Sequence, residues 1–392
     1  MPSSIQTDAY YDTDACKLSE FTALIAQTTH PDDVPHASSV EKNIPIYDMR
    51  VLRTHLANPE ACRALKSEWA HVIRNGAGVV ALKHAYADTS ALDQATTVYE
   101  EIIASEKQSA GGRGDHFAAS GANDRVWNAL QKLCEAAPSV YLNYFCNTAI
   151  AAVCEAWLGP NYQMTAQVNL VHPGGAAQQA HRDYHLGFQS AEVCAAYPAH
   201  VHEVSPILTL QGAIAHCDMP LESGPTKLLP FSQAYKPGYT AWRRPDFRAL
   251  FEERYVQLPL SKGDAMFFNP ALFHAAGENI TDSIHRFANL LQVSSAFGRA
   301  MESVDRLKMC KLLYPHLLQA QATNTLTDAE LAATIAATAE GYAFPTNLDR
   351  DPPVGGMAPE TQAAFMLRAL AERTPAQAVS DHLDQMDHAR LA

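Results

Sequence analysis

The stretch AAQQAHRDYHLGFQ, residues 176–189, follows the break Pro173-Gly174-Gly175 and sets His181, Asp183 and His185 at alternate positions. On an extended chain, residues two apart project to the same side, so the His181 imidazole and the Asp183 carboxylate can reach one ion. A third ligand must come from elsewhere. His274, in KGDAMFFNPALFHAAGENITDSIHR (262–286), is the best placed, because a turn at Lys262-Gly263-Asp264 opens an apolar strand and the histidine arrives at its far end. Two histidines and one carboxylate on one face of an octahedral ion leave three positions open, which suits non-haem Fe(II) and dioxygen. Zinc more often takes a tetrahedral set. Taken alone, the H-x-D spacing also fits a hydrogen-bonded loop pair. Arg286, twelve residues after His274, adds a planar two-pronged donor for the distal carboxylate of a dicarboxylic co-substrate.

The elements that must position these residues are short strands. In MTAQVNLV, Thr165, Gln167 and Asn169 alternate with Met164, Ala166 and Val168, so one face of the strand is polar and meets solvent or a polar cavity. Further runs at SPILTLQGAIAHCD, TKLLPFS, RYVQLPL, DAMFFNP and FANLLQVSSAF are separated by Gly, Pro, Asn and Asp, as in a sandwich or barrel. Before them, NIPIYDMRVLRTHL and RNGAGVVALKHAY read as strands flanking a helix over 62–74, and SVYLNYFCNTAIAAVCEAWLGP reads as one buried helix ended by Gly159-Pro160. After Met301 the pattern returns to helix, with a capping box at Thr327 and Glu330 and Pro359 at the first turn of ETQAAFMLRALAER. The expected fold is a mainly β core with flanking N- and C-terminal α-helices. The expected organisation is an irregular surface arm over 1–45, a core domain over 46–300 with a helical N-terminal part, and a helical extension over 301–392 packed on it.

Composition sets the limits. The 392 residues are 47% hydrophobic and 18% charged, an ordinary globular balance, and the net charge of −13 repels a phosphate backbone. No nucleic-acid or membrane partner is expected, and the N-terminal MPSSIQTDAYYDTDAC has neither the basic nor the apolar part of a signal peptide, so the protein reads as cytoplasmic. The eight cysteines form no C-x-x-C and read as buried thiols rather than as disulfides or zinc ligands.

Four ordered pieces, AHRD (180–183), ESGPTKLLPFSQ (222–233), KGDAMFFNPALFH (262–274) and GENITDSIHR (277–286), resemble the phytanoyl-CoA dioxygenase-like family of Fe(II)/2-oxoglutarate-dependent oxygenases, over about 76–297. The resemblance implies a double-stranded β-helix, a jelly roll of the cupin kind, with His181, Asp183 and His274 as iron ligands and Arg286 on the far carboxylate of 2-oxoglutarate. Cofactors would be Fe(II), 2-oxoglutarate and O2. The reaction would oxidise, most simply hydroxylate, a C–H bond of a small organic substrate while 2-oxoglutarate is split to succinate and CO2. Asp183 argues against halogenation, for which related enzymes carry a small residue at this place. Two departures stand out. The family's Pro-Gly-Ser-His is here Pro230-Phe231-Ser232-Gln233, and the arginine usually falls one place earlier, where this chain has His285.

Around this set, Gln167, Asn169 and Gln211 are expected to face the lumen and contact 2-oxoglutarate or substrate, and His185 to share the face of Asp183 near substrate. His172 and His216 read as structural. In AYKPGYTAWRRPDFRALFEER (234–254), Trp242, Arg243 and Arg244 would cover the site as a lid and grip an anionic substrate, or else lie on a solvated helix. A catalytically silent jelly-roll sensor and a zinc hydrolase using the same ligands are the alternatives from other classes.

Overall fold

Ile44–Asp48 and Val79–Lys83 are the most apolar runs of the first hundred residues, and they lie side by side in parallel as β2 and β3, with Ile46 opposite Ala81. In the computed structural model, which describes residues 9–109 and 122–392, they belong to a mixed eight-stranded sheet. Its other strands are β1 (Ser39–Glu41), β4 (Asn123–Val126), β5 (Gln163–Val171), β6 (Thr209–Ala215), β8 (Ala265–Phe268) and β10 (Arg286–Ser294), in the order β1-β2-β3-β8-β6-β10-β5-β4. A second, two-stranded sheet joins β7 (Lys227–Leu228) to β9 (His274–Ala275), antiparallel, with Leu228 opposite His274. Most of the expected strand runs are present. Fifteen α-helices accompany these ten strands among the described residues, so helices carry more of the chain than a mainly β class implies.

The chain divides into two compact units. The first comprises Met1–Ala87, Gly114–Asp124 and Asn169–Leu290, and the second Asp88–Arg113, Arg125–Val168 and Leu291–Ala392. In the second, the C-terminal helices pack with the helices that precede β5. Tyr141 and Thr338 share a hydroxyl hydrogen bond of 2.9 Å, and the hydroxyl of Tyr314 donates to the carbonyls of Ala369 and Thr374. The expected single helix over 138–158 is two, Pro138–Phe145 and Thr148–Leu158, because Asn147 adopts an extended backbone and its side chain caps the second by accepting from the amides of Ala149 and Ile150. The capping box at Thr327 and Glu330 is formed. Pro359 falls outside its expected helix, which begins at Gln362 with Thr361 as its cap.

In the first unit the N-terminal stretch is anchored at a few points, although most of its described residues before Ile44 are not buried. Helix Leu18–Ile25 buries Phe21 completely against Tyr235, Phe247 and Phe273, with ring centroids 4.8–5.3 Å apart. Burying a phenylalanine side chain is worth roughly 1.5–3 kcal/mol, so this helix is part of the core behind the H-x-D loop. A second apolar cluster fills the space beside β2, β3 and β8, from Ile44, Ile46, Val79, Ala81, Met266 and Phe268. No helix among the described residues is long and apolar enough to cross a membrane.

Candidate metal centre

His181 and His274 face each other through a backbone bridge in which each amide donates to the other's carbonyl, at 3.0 and 3.2 Å. On its other side His274 pairs with Leu228, so it stands in the middle of three adjacent extended segments. Two residues on, the Asp183 amide donates to the carbonyl of Pro270 at 3.0 Å. Asn269 makes that turn by accepting from the amide of Ala271 and donating to the carbonyl of Ile73. The bridge sets the two ring centroids 4.4 Å apart and brings both histidines to the Asp183 carboxylate. His181 Nε2 lies 3.5 Å from Oδ1, and His274 Nε2 lies 3.3 Å from Oδ2. One ligand atom from each of the three falls within 4.8 Å of the others, a group that can hold a metal ion and the one such group among the described residues.

The tautomers sharpen this. His181 Nδ1 lies 2.9 Å from the carbonyl of Gln179, and His274 Nδ1 lies 2.8 Å from that of Leu272. A carbonyl only accepts, so each Nδ1 carries the proton, and in the neutral imidazole Nε2 is a bare lone pair. Two lone pairs and a carboxylate then converge, and three acceptors require a positive charge among them. Burial works to raise the Asp183 carboxyl, but the two histidines outweigh it and hold it well below the usual carboxylate range. Burial pushes both imidazoles down; in His274 it prevails, while in His181 the Asp183 charge more than offsets it. With a cation in place of the proton that Asp183 draws to His181, two imidazole nitrogens, one carboxylate oxygen and fixed Nδ1 protons are a donor set that fits a divalent transition ion.

Arg286, the first residue of β10, is buried, and His285 just before it is exposed. Arg286 Nη1 donates to the carbonyls of Ser223 (2.9 Å) and Gly277 (3.2 Å), which belong to the ESGPT and GENIT stretches. No carboxylate lies within 4 Å of this guanidinium among the described residues, and burial lowers its pKa to about 10. A buried cation held only by backbone carbonyls is matched by an anionic ligand. His285 instead turns to His172, whose Nε2 lies 2.8 Å from the buried Asp124 carboxylate. His172 and His216 have structural surroundings, the latter stacked on Phe287.

The other expected residues divide. Gln211 joins the group, donating from Nε2 to Asp183 Oδ2. Asn169 presents a buried Oδ1 with no hydrogen-bond partner among the described residues. Gln167 lies on the part of β5 that belongs to the second unit, where Arg125 Nη1 donates to its Oε1 at 3.2 Å. His185 does not continue the face of Asp183. Tyr184 and His185 take positive φ (62° and 40°), the chain enters a 3-10 turn, and His185 Nδ1 meets the Ser205 hydroxyl at 3.1 Å.

The 234–254 segment is anchored through its apolar residues, while the outer side of helix Pro245–Arg254 is exposed. Its residues Ala241, Phe247 and Phe251 are buried and Trp242 packs against them. Arg243 stacks on Trp242, 3.9 Å from the ring centroid, and donates to the carbonyls of Gly187, Gln189 and Tyr239. Arg244 donates to the carbonyls of Thr13 and Cys16 and pairs with Asp246. Both guanidiniums are therefore engaged by the protein itself.

Three residues had no obvious signal in the sequence. Arg182, 1% exposed, points away from the ions' side of H-x-D and donates from Nη2 to the carbonyls of Ser232 (2.7 Å) and Tyr235 (2.8 Å), between the rings of Tyr239 and Phe273. Tyr239 donates its hydroxyl to the Asp183 carbonyl at 3.2 Å. Asn279, fully buried, donates to the carbonyls of Val171, His172 and Ile284 and so fixes the loop that leads into Arg286. In the altered PFSQ turn, Phe231 takes the left-handed conformation (φ 68°) that a glycine adopts freely, and Gln233 donates to the carbonyl of Gly76.

Comparison with known proteins adds the following. The chain is 20% identical to the crystal structure of the non-haem alpha-ketoglutarate-dependent epimerase SnoN from nogalamycin biosynthesis, over 61% of this chain and 84% of that one, with a TM-score of 0.39. It is 19% identical to the alpha-ketoglutarate-dependent carbocyclase SnoK from the same biosynthesis, over 60% and 86%, with a TM-score of 0.42. It is also 19% identical to AviO1 from Streptomyces viridochromogenes Tue57, over 60% and 97%, with a TM-score of 0.42. Among curated proteins none matches the chain. The model of the phytanoyl-CoA dioxygenase (PhyH) family matches residues 55–288, the region that holds His181, Asp183, His274 and Arg286, and the chain belongs to that family.

Proposed function

We propose that the protein is an Fe(II)/2-oxoglutarate-dependent oxygenase that hydroxylates a C–H bond of a small organic substrate, releasing succinate and CO2. Family membership supports the coarser assignment, an oxygenase using iron, 2-oxoglutarate and O2. The observation that carries it is the convergence of His181 Nε2, His274 Nε2 and the Asp183 carboxylate, with both Nδ1 protons directed to backbone carbonyls. These three side chains would hold the ion, and Arg286 would pair with the far carboxylate of 2-oxoglutarate. An ion held there would supply the oxidising chemistry together with O2 and 2-oxoglutarate. The chain supplies position and shielding: Phe268 presses its ring against His274, with centroids 4.8 Å apart, and limits water on that side. The pairing of β7 with β9, and of His274 with His181, supports a jelly-roll reading with the ligands on its smaller sheet.

The segment that suggested an acyl-CoA or other anionic substrate weighs differently once its partners are known. Lys236 pairs with Glu203, and Arg243 and Arg244 are engaged by carbonyls and Asp246, so this segment gives no reason to favour an anion. The two readings from other classes are separated by one experiment. Anaerobic titration should show uptake of one Fe(II), then of 2-oxoglutarate only in the metal-loaded protein. Failure to take up 2-oxoglutarate would favour the silent binding protein, and tight zinc binding with hydrolysis of a test ester would favour the hydrolase.

A further inference from the structure

Gln211 lies on β6, opposite Phe268 of β8, so its backbone is fixed in the interior of the large sheet, and its side chain is buried. Its amide Nε2 donates to Asp183 Oδ2. An ionised carboxylate can only accept, so the nitrogen must face Asp183, and the orientation of this amide is settled by chemistry. Oε1 then points the other way, buried and without a partner among the described residues. Beside the Nε2 atoms of the two histidines, which lie 3.3 and 3.5 Å away, Gln211 is the one side chain seen to meet the Asp183 carboxylate among the described residues. The main chain of Asp183 is fixed by Pro270 and Tyr239, but those bonds leave the carboxylate free to rotate about its last torsion.

We propose that Gln211 is a positioning residue of the metal centre: its amide stops the rotation of the Asp183 carboxylate and occupies one oxygen, so that the other is offered to the ion. This rests on the metal reading of His181, Asp183 and His274 given above. A carboxylate so held binds through one oxygen and leaves room on the ion for a chelating co-substrate, whereas an unrestrained one can close over the ion with both. Gln211 was expected from the sequence to contact 2-oxoglutarate or substrate. A dianionic 2-oxoglutarate carries no donor for the bare Oε1, and the amide nitrogen is already engaged, so toward iron and 2-oxoglutarate the residue acts through Asp183.

The test uses metal alone. Apo-protein is titrated with Co(II), a spectroscopic stand-in for Fe(II), in the wild type, Gln211→Met and Gln211→Asn. Methionine has the length but no donor, and asparagine has the amide but not the reach. Both should bind Co(II) about tenfold more weakly, the lower end of what losing an outer-shell partner costs. Both should also change the Co(II) absorption envelope, with metal-free melting temperatures near that of the wild type. Should the methionine variant not fold, the asparagine variant decides the matter alone. Affinities within twofold of wild type with an unchanged spectrum would overturn the proposal, and so would an asparagine variant that behaves as wild type. A wild type that takes up no Co(II) would instead sink the metal reading on which the proposal rests.

Discussion

The guanidinium of Arg182 crosses Gly238 so closely that a Cβ on that glycine would lie 2.0 Å from Arg182 Cζ. The arginine between the two H-x-D side chains thus reaches the carbonyls of Ser232 and Tyr235 only because residue 238 has no side chain. Its full burial lowers its pKa to about 10, and the two carbonyls and the faces of Tyr239 and Phe273 compensate the charge.

Gly238→Ala should therefore act on the metal site from behind. Overpacking of this kind costs roughly 1–3 kcal/mol, and here it must displace the Arg182 guanidinium from the carbonyls of Ser232 and Tyr235, loosening the residue between the two ligands. The expected result is a lower melting temperature together with weaker Fe(II) binding. A variant that melts lower yet binds iron as wild type would show that Arg182 stabilises the fold without positioning the ligands.

Replacing any one of His181, Asp183 or His274 by alanine should abolish iron-dependent turnover, because two protein ligands hold the ion poorly. Circular dichroism of each variant should remain that of the wild type. Metal analysis after desalting checks this, and a variant that retains stoichiometric iron would remove its residue from the triad.

Arg286→Leu should raise the KM for 2-oxoglutarate, since truncating one partner of a buried charge pair costs on the order of 2–5 kcal/mol. Iron affinity should change little. His285→Leu is the control: its ring is exposed and turned to His172, so KM should stay near wild type. The reverse pattern would assign the anchor to position 285.

Arg244→Gln, once a candidate for gripping substrate, should instead loosen the N-terminal segment, because its guanidinium holds the carbonyls of Thr13 and Cys16. Hydrogen exchange over residues 10–25 should rise while coupling of succinate to product is unaffected. Protected amides in that stretch together with a shifted substrate KM would restore the lid reading.

What the sequence made legible follows from how local each signal is. The H-x-D pair, the distal histidine and the arginine on β10 are read from side-chain alternation and order, both of which survive folding. The alternation ends where the backbone turns, and positive φ at Tyr184 and His185 sends the second histidine to Ser205, a change no period can announce. Polar residues on β5 were legible as one face, yet Gln167 and Asn169 fall in different units because the strand itself runs from one into the other. The basic cluster at 236–248 was ambiguous for a different reason: charge can be counted in a sequence, but partners cannot. Arg182 was the hardest to see, since a charged residue on a strand end most often faces water and this one is buried against carbonyls 50 and 53 positions away.

The most direct measurement is aerobic release of CO2 from 2-oxoglutarate labelled at C1, with succinate quantified in parallel, by protein loaded with Fe(II) or with Zn(II). The account predicts equimolar CO2 and succinate with iron, accelerated by a substrate that is itself oxidised, and neither with zinc nor with the Asp183→Ala variant. Equal output from the iron-loaded wild type and the Asp183→Ala variant, or no output from either across a substrate screen, would contradict the assignment of His181, Asp183 and His274 as an oxygenase centre.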